Sequence, residues 1–274
     1  MTALAALVAG VLLAVPAKTP VPHFVKKIDL GGYKLAIECY GRGSPVIVLD
    51  SGFSTPRSAW YWVVPKLRRS TRVCSYDRAG LGQSQDRPAS ITPTTEQIMG
   101  ELHTLLQKAK LPPPYVLGGW SIGGFDVRYY QHRYPGEVAG LVLVDGTTPF
   151  FLLNSTDPLD SGVETMYTHV AAEELLEPPP LGGLPVVDLT HGQAFAEEAA
   201  EVVWLYGQRQ FTSSTTSSIL AKAKNAGHAI AEENPALVSY ALKLVVKSAR
   251  KQTPLPACAQ SLVAKYRGIC LAPR

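Results

Sequence analysis

Gly119-Trp120-Ser121-Ile122-Gly123-Gly124 is the stretch whose residue types and spacing point most directly to covalent chemistry. It follows a strand-like apolar run, 115–118, and leads into a helical one, 122–134, stopped by Pro135-Gly136. In a G-x-S-x-G turn between strand and helix, small residues two places either side of the serine let the two backbones approach. The serine is then held strained, with its hydroxyl exposed above the sheet edge. The start of the following helix aims N–H groups at the same point. Ser121 is therefore a candidate nucleophile, the alternative being a glycine-rich structural turn. A serine hydroxyl needs a base, and the base needs a carboxylate to orient it. Six histidines are present. His23 and His103 lie far from any strand carboxyl end, His132 falls inside the helix behind Ser121, and His169 is in an irregular stretch. His191 ends a strand, and His228 sits in a loop between a late strand and a closing helix.

The elements that must position these residues alternate between strand and helix. Runs 24–30 and 34–40 flank Gly31-Gly32 and read as a hairpin. Strands are expected at 45–49, 72–76, 115–118, 138–144, 184–189 and 219–223, the last taken as the final strand. Helices are expected at 59–69, from Thr92-Pro93 with Thr92 as the cap, at 122–134, and from Asn234-Pro235 with Leu237, Leu244 and Val245 facing inward. Strand–helix alternation predicts βαβ units and a mostly parallel sheet. The stretch 147–183, rich in Pro and small residues, breaks the rhythm, and a long excursion between strands is usually functional, often a lid.

Several further stretches share one pattern. Val48-Leu49-Asp50-Ser51-Gly52-Phe53 follows the third strand. Ser75-Tyr76-Asp77-Arg78-Ala79-Gly80-Leu81-Gly82-Gln83-Ser84 follows the fourth. Residues 141–145 end in Asp145, and Ala226-Gly227-His228 lies near the end. With the Ser121 turn, these resemble the α/β-hydrolase fold superfamily, in particular its esterase-like serine hydrolases, over roughly 24–250. The resemblance implies an α/β fold: a mostly parallel central sheet flanked by helices, with a short lid insertion. It assigns Ser121 as nucleophile and His228 as base, since the family order places His191 too early. Many members carry the acid after the seventh strand, where this chain reads Leu189-Thr190-His191-Gly192-Gln193 without a carboxylate. Asp145 ends the sixth strand, the place used by relatives such as certain haloalkane dehalogenases, and is the expected acid. Asp188 is the reserve, and Glu197 and Glu198 read as solvated helix charges.

The resemblance also implies an oxyanion hole from the backbone N–H groups of Phe53 and Ile122, with Ser51 where the family has histidine. The Asp77-Arg78 turn reads as structural, a tight glycine turn with an internal ion pair. The implied sheet order sets Cys39 and Cys74 on neighbouring strands, where they could pair. Trp120, Phe53 and Phe150 are candidate substrate-binding residues, giving an apolar lining for a small acyl substrate, against the commoner fate of aromatics as core.

The chain has 274 residues, a net charge of +4, 46% hydrophobic and 18% charged residues. That composition excludes intrinsic disorder, and the length suits one domain. Basic residues form no run with interleaved aromatics, so no nucleic-acid partner is implied. No metal-ligand spacing and no phosphate or dinucleotide loop occurs, so no cofactor and no metal is implied. Residues 3–15 are apolar and too short to span a membrane, and Val15-Pro16-Ala17 ends in small residues. Residues 1–17 read as a signal peptide, or as an N-terminal anchor, which alone would bring a membrane partner. The departure is an n-region without Lys or Arg. The expected organisation is 18–257 as the hydrolase domain, with the lid at about 147–183, and 258–274 as a tail. Four cysteines after such a leader suggest two disulfides, with Cys258–Cys270 the natural pair across a short loop; four buried free thiols are the alternative. Asn154-Ser155-Thr156 is a glycosylation sequon that matters only in a eukaryotic secretory host. The expectation is an exported serine hydrolase acting on ester bonds. The rivals are an amide or peptide hydrolase of the same fold, a non-catalytic ligand-binding protein, and a surface-associated structural protein.

Overall fold

The computed structural model describes residues 20–88, 92–153, 156–258 and 263–271. The leader segment 1–17, and Asn154 and Ser155 of the sequon, lie outside the described residues. In chain order the strands are β1 (His23–Asp29), β2 (Lys34–Tyr40), β3 (Val46–Asp50), β4 (Val73–Tyr76), β5 (Tyr115–Trp120), β6 (Val138–Val144), β7 (Leu159–Asp160), β8 (Thr165–Met166), β9 (Val186–His191), β10 (Ser218–Ala223) and β11 (Gly268–Cys270). The helices are α1 (Val64–Leu67), α2 (Thr95–Lys108), α3 (Ile122–Arg133), α4 (Pro149–Leu152), α5 (His169–Glu174), α6 (Glu198–Ser213), α7 (Ile230–Glu233) and α8 (Pro235–Lys251).

Nine strands form one sheet in the order β1-β2-β4-β3-β5-β6-β9-β10-β11. The pairs from β4 through β10 are parallel, and antiparallel pairs close both edges. The central strands are apolar on both faces, as a sheet covered by helices on both sides requires; β3 is buried throughout. One core packs α2, α3 and the 147–183 excursion on one face. The other packs α1, α7 and α8 on the opposite face. The excursion is not a loose loop. It contains α4, the β7–β8 hairpin and α5, and it buries Leu152, Met166, Ala171 and Leu175.

Three elements differ from expectation. The helix expected at 59–69 is split into a 3-10 turn, Arg57–Trp60, and the short α1. Pro65 near the start of α1 has no N–H to donate and disfavours helical backbone before it. Helix α2 starts two residues late because Thr94, not Thr92, caps it. Thr94 Oγ1 accepts from Gln97 N at 3.2 Å while Gln97 Oε1 accepts from Thr94 N at 2.9 Å. The strand at 218–223 is not the last: β11 from the tail adds antiparallel to it. Both disulfides are present. Cys39 and Cys74 are direct partners in the β2–β4 register, and Cys258–Cys270 fastens the tail beside β10. Among the described residues no helix is long and apolar enough to cross a membrane.

Candidate active site

Ser121 caps α3 at the end of β5 with φ 56° and ψ −125°, a left-handed backbone that side chains rarely adopt. The surrounding glycines are sterically required. A Cβ on Gly119 would lie 2.1 Å from the Gly123 carbonyl oxygen, and one on Gly123 would lie 2.6 Å from the Asp50 oxygen. The Ser121 N–H donates to Val144 O at 3.2 Å, and its carbonyl accepts from Thr147 N at 2.8 Å, so the turn is tied to the end of β6.

His228 stands in the loop between β10 and α7. Its Nε2 accepts from Ser121 Oγ at 2.8 Å, and its Nδ1 donates to Asp145 Oδ2 at 2.6 Å. The loop is pinned by Trp120 Nε1, which donates to the His228 carbonyl at 2.7 Å, and by Glu233, which accepts from Gly227 N at 2.9 Å. Asp145 follows β6 directly, is completely buried, and also has positive φ, 48°. The strand end and the backbone bond from Asp145 N to Leu189 O at 2.6 Å fix it there. Burial alone would raise its carboxyl pKa. The hydrogen bonds from His191 and His228 outweigh that and hold it below the usual carboxylate value. An imidazole held between a hydroxyl and an ionised carboxylate is the arrangement in which a base can take the serine proton.

The reserve acid Asp188 does not reach His228. It lies in β9, 3.3 Å from Arg128 Nη2, and burial pushes its carboxyl up to about 7. Glu197 and Glu198 are exposed at the start of α6. His191 does reach the site, which sequence order alone did not indicate. Its Nδ1 lies 2.9 Å from both oxygens of Asp145, and its backbone N–H donates to Asp145 Oδ1 at 3.0 Å. Trp204 Nε1 from α6 donates to the same oxygen at 3.1 Å.

The loop after β3 packs against the nucleophile turn, since a Cβ on Gly52 would meet the Trp120 ring at 3.0 Å. With Ser51 in place of a histidine, Arg78 anchors the loop. Its Nη1 donates to Ser51 O at 2.8 Å and to Asp50 Oδ1 at 2.7 Å, and its Nη2 donates to Gly52 O at 2.6 Å. The internal Asp77–Arg78 ion pair expected from sequence is therefore not formed. Asp77 instead accepts from Arg57 and from Gln83 N, while Arg78 turns inward to Asp50 and to Glu164 of the excursion. The two side chains leave the turn in different directions because one faces the loop of glycines and the other the core. Glu164 Oε2 also accepts from Ser54 N at 2.6 Å, next to Phe53. Ile122 opens α3, where N–H groups have no partner within the helix.

Of the aromatic candidates, Phe53 in the loop after β3 and Trp120, which directly precedes Ser121, are half-buried. The Phe150 ring packs edge-on against Tyr206, with centroids 5.0 Å apart. Its neighbour Phe151, 45% exposed, packs edge-on against Trp204, whose ring lies 5.9 Å from that of His228. The His228 side chain is 41% exposed, so the site is open to water. Among the described residues no group of three or more His, Cys, Asp or Glu is arranged to hold a metal ion.

A family model described as the alpha/beta hydrolase fold matches residues 45–172. The solved structure of a thermophilic esterase from Thermogutta terrifontis superposes with TM-score 0.60 at 20% identity, covering 84% of this chain and 99% of that one. The chain has the α/β-hydrolase fold. By sequence it is 26% identical over 213 residues to the uncharacterized protein YqjL of Bacillus subtilis, covering 74% of this chain and 83% of that protein. It is 29% identical over 104 residues to the pimeloyl-[acyl-carrier protein] methyl ester esterase of Hamiltonella defensa, spanning 38% of this chain and 37% of the esterase. In this α/β-hydrolase-fold chain, sequence reasoning missed Glu164, His191 and Trp204 as neighbours of the site, and Glu201, which lies 2.7 Å from His191 Nε2. His191 alone carried a signal, because it occupies the strand end where many relatives hold their acid.

Proposed function

We propose that the chain is an exported serine hydrolase that cleaves an ester or related acyl bond through an acyl-enzyme. The single observation that carries this reading is the continuous hydrogen-bonded chain from Ser121 through His228 to the buried Asp145, built on a strained turn. His228 Nε2 takes the hydroxyl proton as Ser121 Oγ attacks the acyl carbonyl carbon. Asp145 holds the imidazole tautomer and stabilises the imidazolium. The N–H groups of Phe53 and Ile122 receive the developing oxyanion, and each such donor is worth ~10²–10³ in turnover. His228 then gives its proton to the leaving alcohol, and a water activated by the same histidine hydrolyses the acyl-enzyme. The exposed face of His228 leaves that water a path.

Phe53, Trp120 and the aromatics at the start of the excursion favour an apolar or small acyl group. Export is supported by the apolar leader and by two disulfides, which persist in oxidising compartments. The test is labelling of the mature protein by a fluorophosphonate, followed by hydrolysis of p-nitrophenyl esters of increasing chain length and the matching anilides. Labelling that disappears in Ser121→Ala, with ester turnover above anilide turnover, supports the reading. A folded wild type that is not labelled overturns it, and anilides cleaved faster than esters move the substrate to the amide class.

A further inference from the structure

Asp145 is bracketed by two histidines, and only one of them faces Ser121. The second, His191 at the end of β9, is 1% exposed and is itself held between two carboxylates. Its Nδ1 meets Asp145, and its Nε2 meets Glu201 Oε2 of α6 at 2.7 Å. Carboxylate oxygens only accept hydrogen bonds, so a neutral ring would oppose one nitrogen lone pair to an oxygen lone pair. The ring is satisfied on both sides when both nitrogens carry protons. Burial works against that charge, but the hydrogen bonds and negative charges of Asp145 and Glu201 outweigh burial and hold the His191 pKa above the usual imidazole value.

The other groups facing this ring are consistent with a charged bridge. From β10, Lys222 Nζ lies 3.4 Å from Glu201 Oε1 and balances its charge. From α6, Trp204 donates to the same Asp145 oxygen. Phe195, in the loop after β9, covers the ring at 4.5 Å between centroids and excludes water. Asp188, on the same strand, is engaged with Arg128 of α3. His228 faces the remaining side of Asp145.

We propose that His191 is a positioning residue for the reaction: an imidazolium clamped between Asp145 and Glu201, it fixes the Asp145 carboxylate in the plane that His228 needs and offsets part of its charge. The proposal rests on the serine-hydrolase reading above. It makes two separable contributions. The hydrogen bonds orient the acid, so losing them lowers the maximal reactivity of Ser121. The positive charge counters the pull of Asp145 on the protonated form of the His228 imidazole, so losing it moves the rise of reactivity with pH to higher pH.

The test combines two readouts. Nitrogen-15 NMR of histidine-labelled wild type at neutral pH reports whether both His191 ring nitrogens are protonated, whether or not the protein is an enzyme. The second-order rate of fluorophosphonate labelling is then measured against pH for wild type, His191→Phe and Glu201→Gln. Doubly protonated His191 is expected. His191→Phe is expected to lose about tenfold of the labelling plateau, the size of one charge-assisted hydrogen bond. Its rise is expected to move up by about half a pH unit. Glu201→Gln removes the carboxylate that helps hold the second proton on His191 but leaves an amide partner on Nε2; with that proton lost, the rise is expected to shift in the same direction with a smaller loss of plateau. It lies at the edge of the core and guards against a His191→Phe protein that does not fold. A neutral His191 in wild type overturns the proposal. So does labelling of both variants with the wild-type plateau and pH dependence, even with lowered stability, which would leave His191 only a structural role. A wild type that is not labelled overturns the hydrolase reading instead, and with it the positioning role, while the NMR result on the bridge stands by itself.

Discussion

Replacing Glu164 by alanine tests whether the excursion holds the loop that carries Phe53. Glu164 is buried and accepts three hydrogen bonds: from Arg78 Nε at 2.6 Å, Arg78 Nη2 at 3.0 Å and Ser54 N at 2.6 Å. Its loss leaves the Arg78 guanidinium, 2% exposed, with Asp50 as its close partner. Breaking a buried ion pair from one side costs about 3–5 kcal/mol. The low end applies here, because a third carboxyl waits nearby. Asp126 lies 3.9 Å from Arg78, and burial together with the Asp50 charge holds its pKa well above the usual value. A cost of about 3 kcal/mol in a chain of this size lowers Tm by roughly 6–12 °C. Glu164→Gln keeps an acceptor oxygen and falls between wild type and alanine. Because Ser54 N loses its acceptor beside Phe53, labelling of the folded protein by a fluorophosphonate should fall about tenfold, short of the ~10²–10³ expected for losing a whole oxyanion donor. Calorimetry and labelling on the same preparation check both numbers. An alanine variant with Tm within about 2 °C of wild type and unchanged labelling would refute the reasoning that this latch holds the loop.

Asp145→Asn should leave the fold intact and reduce labelling by up to ~10⁴, since the amide can select the wrong His228 tautomer; Asp188→Asn should lower Tm through its pair with Arg128 but leave labelling of the folded fraction unchanged. Removing the Cys39–Cys74 bridge, which closes a separation of 35 residues, should cost about 4 kcal/mol by the chain-entropy relation, read as a lower denaturation midpoint. The stabilisation from His191 follows its raised pKa: it is fully present below about 6.5 and is lost as pH rises through the folded value. The Tm gap between wild type and His191→Phe should therefore be wide at about pH 6 and narrow at alkaline pH, and a gap that widens with pH would contradict the charged bridge.

The sequence by itself determined the frame. Apolar runs of strand length alternating with helical runs, punctuated by Gly and Pro, were enough for the parallel sheet, because burial on both faces leaves a local signature in every strand. Ser121 was legible for the same reason: a sharp strand-to-helix turn demands small residues at fixed spacing, and Gly119 and Gly123 satisfy that demand in a window of five residues. His228 and Asp145 came from resemblance rather than from any local rule, and the structure brings both to Ser121. Boundaries failed where a local competitor decided them, as Pro65 did in breaking the first helix and Thr94 with Gln97 in starting the second. The remainder was decided by tertiary structure alone. Arg78 meets Glu164 across 86 residues and His191 meets Asp145 across 46, and no periodicity encodes which buried charge will find which partner. A charge removed from water must be paired wherever the chain can supply a partner, and which partner is in reach depends on the packing of strands, helices and the excursion after the fold has closed.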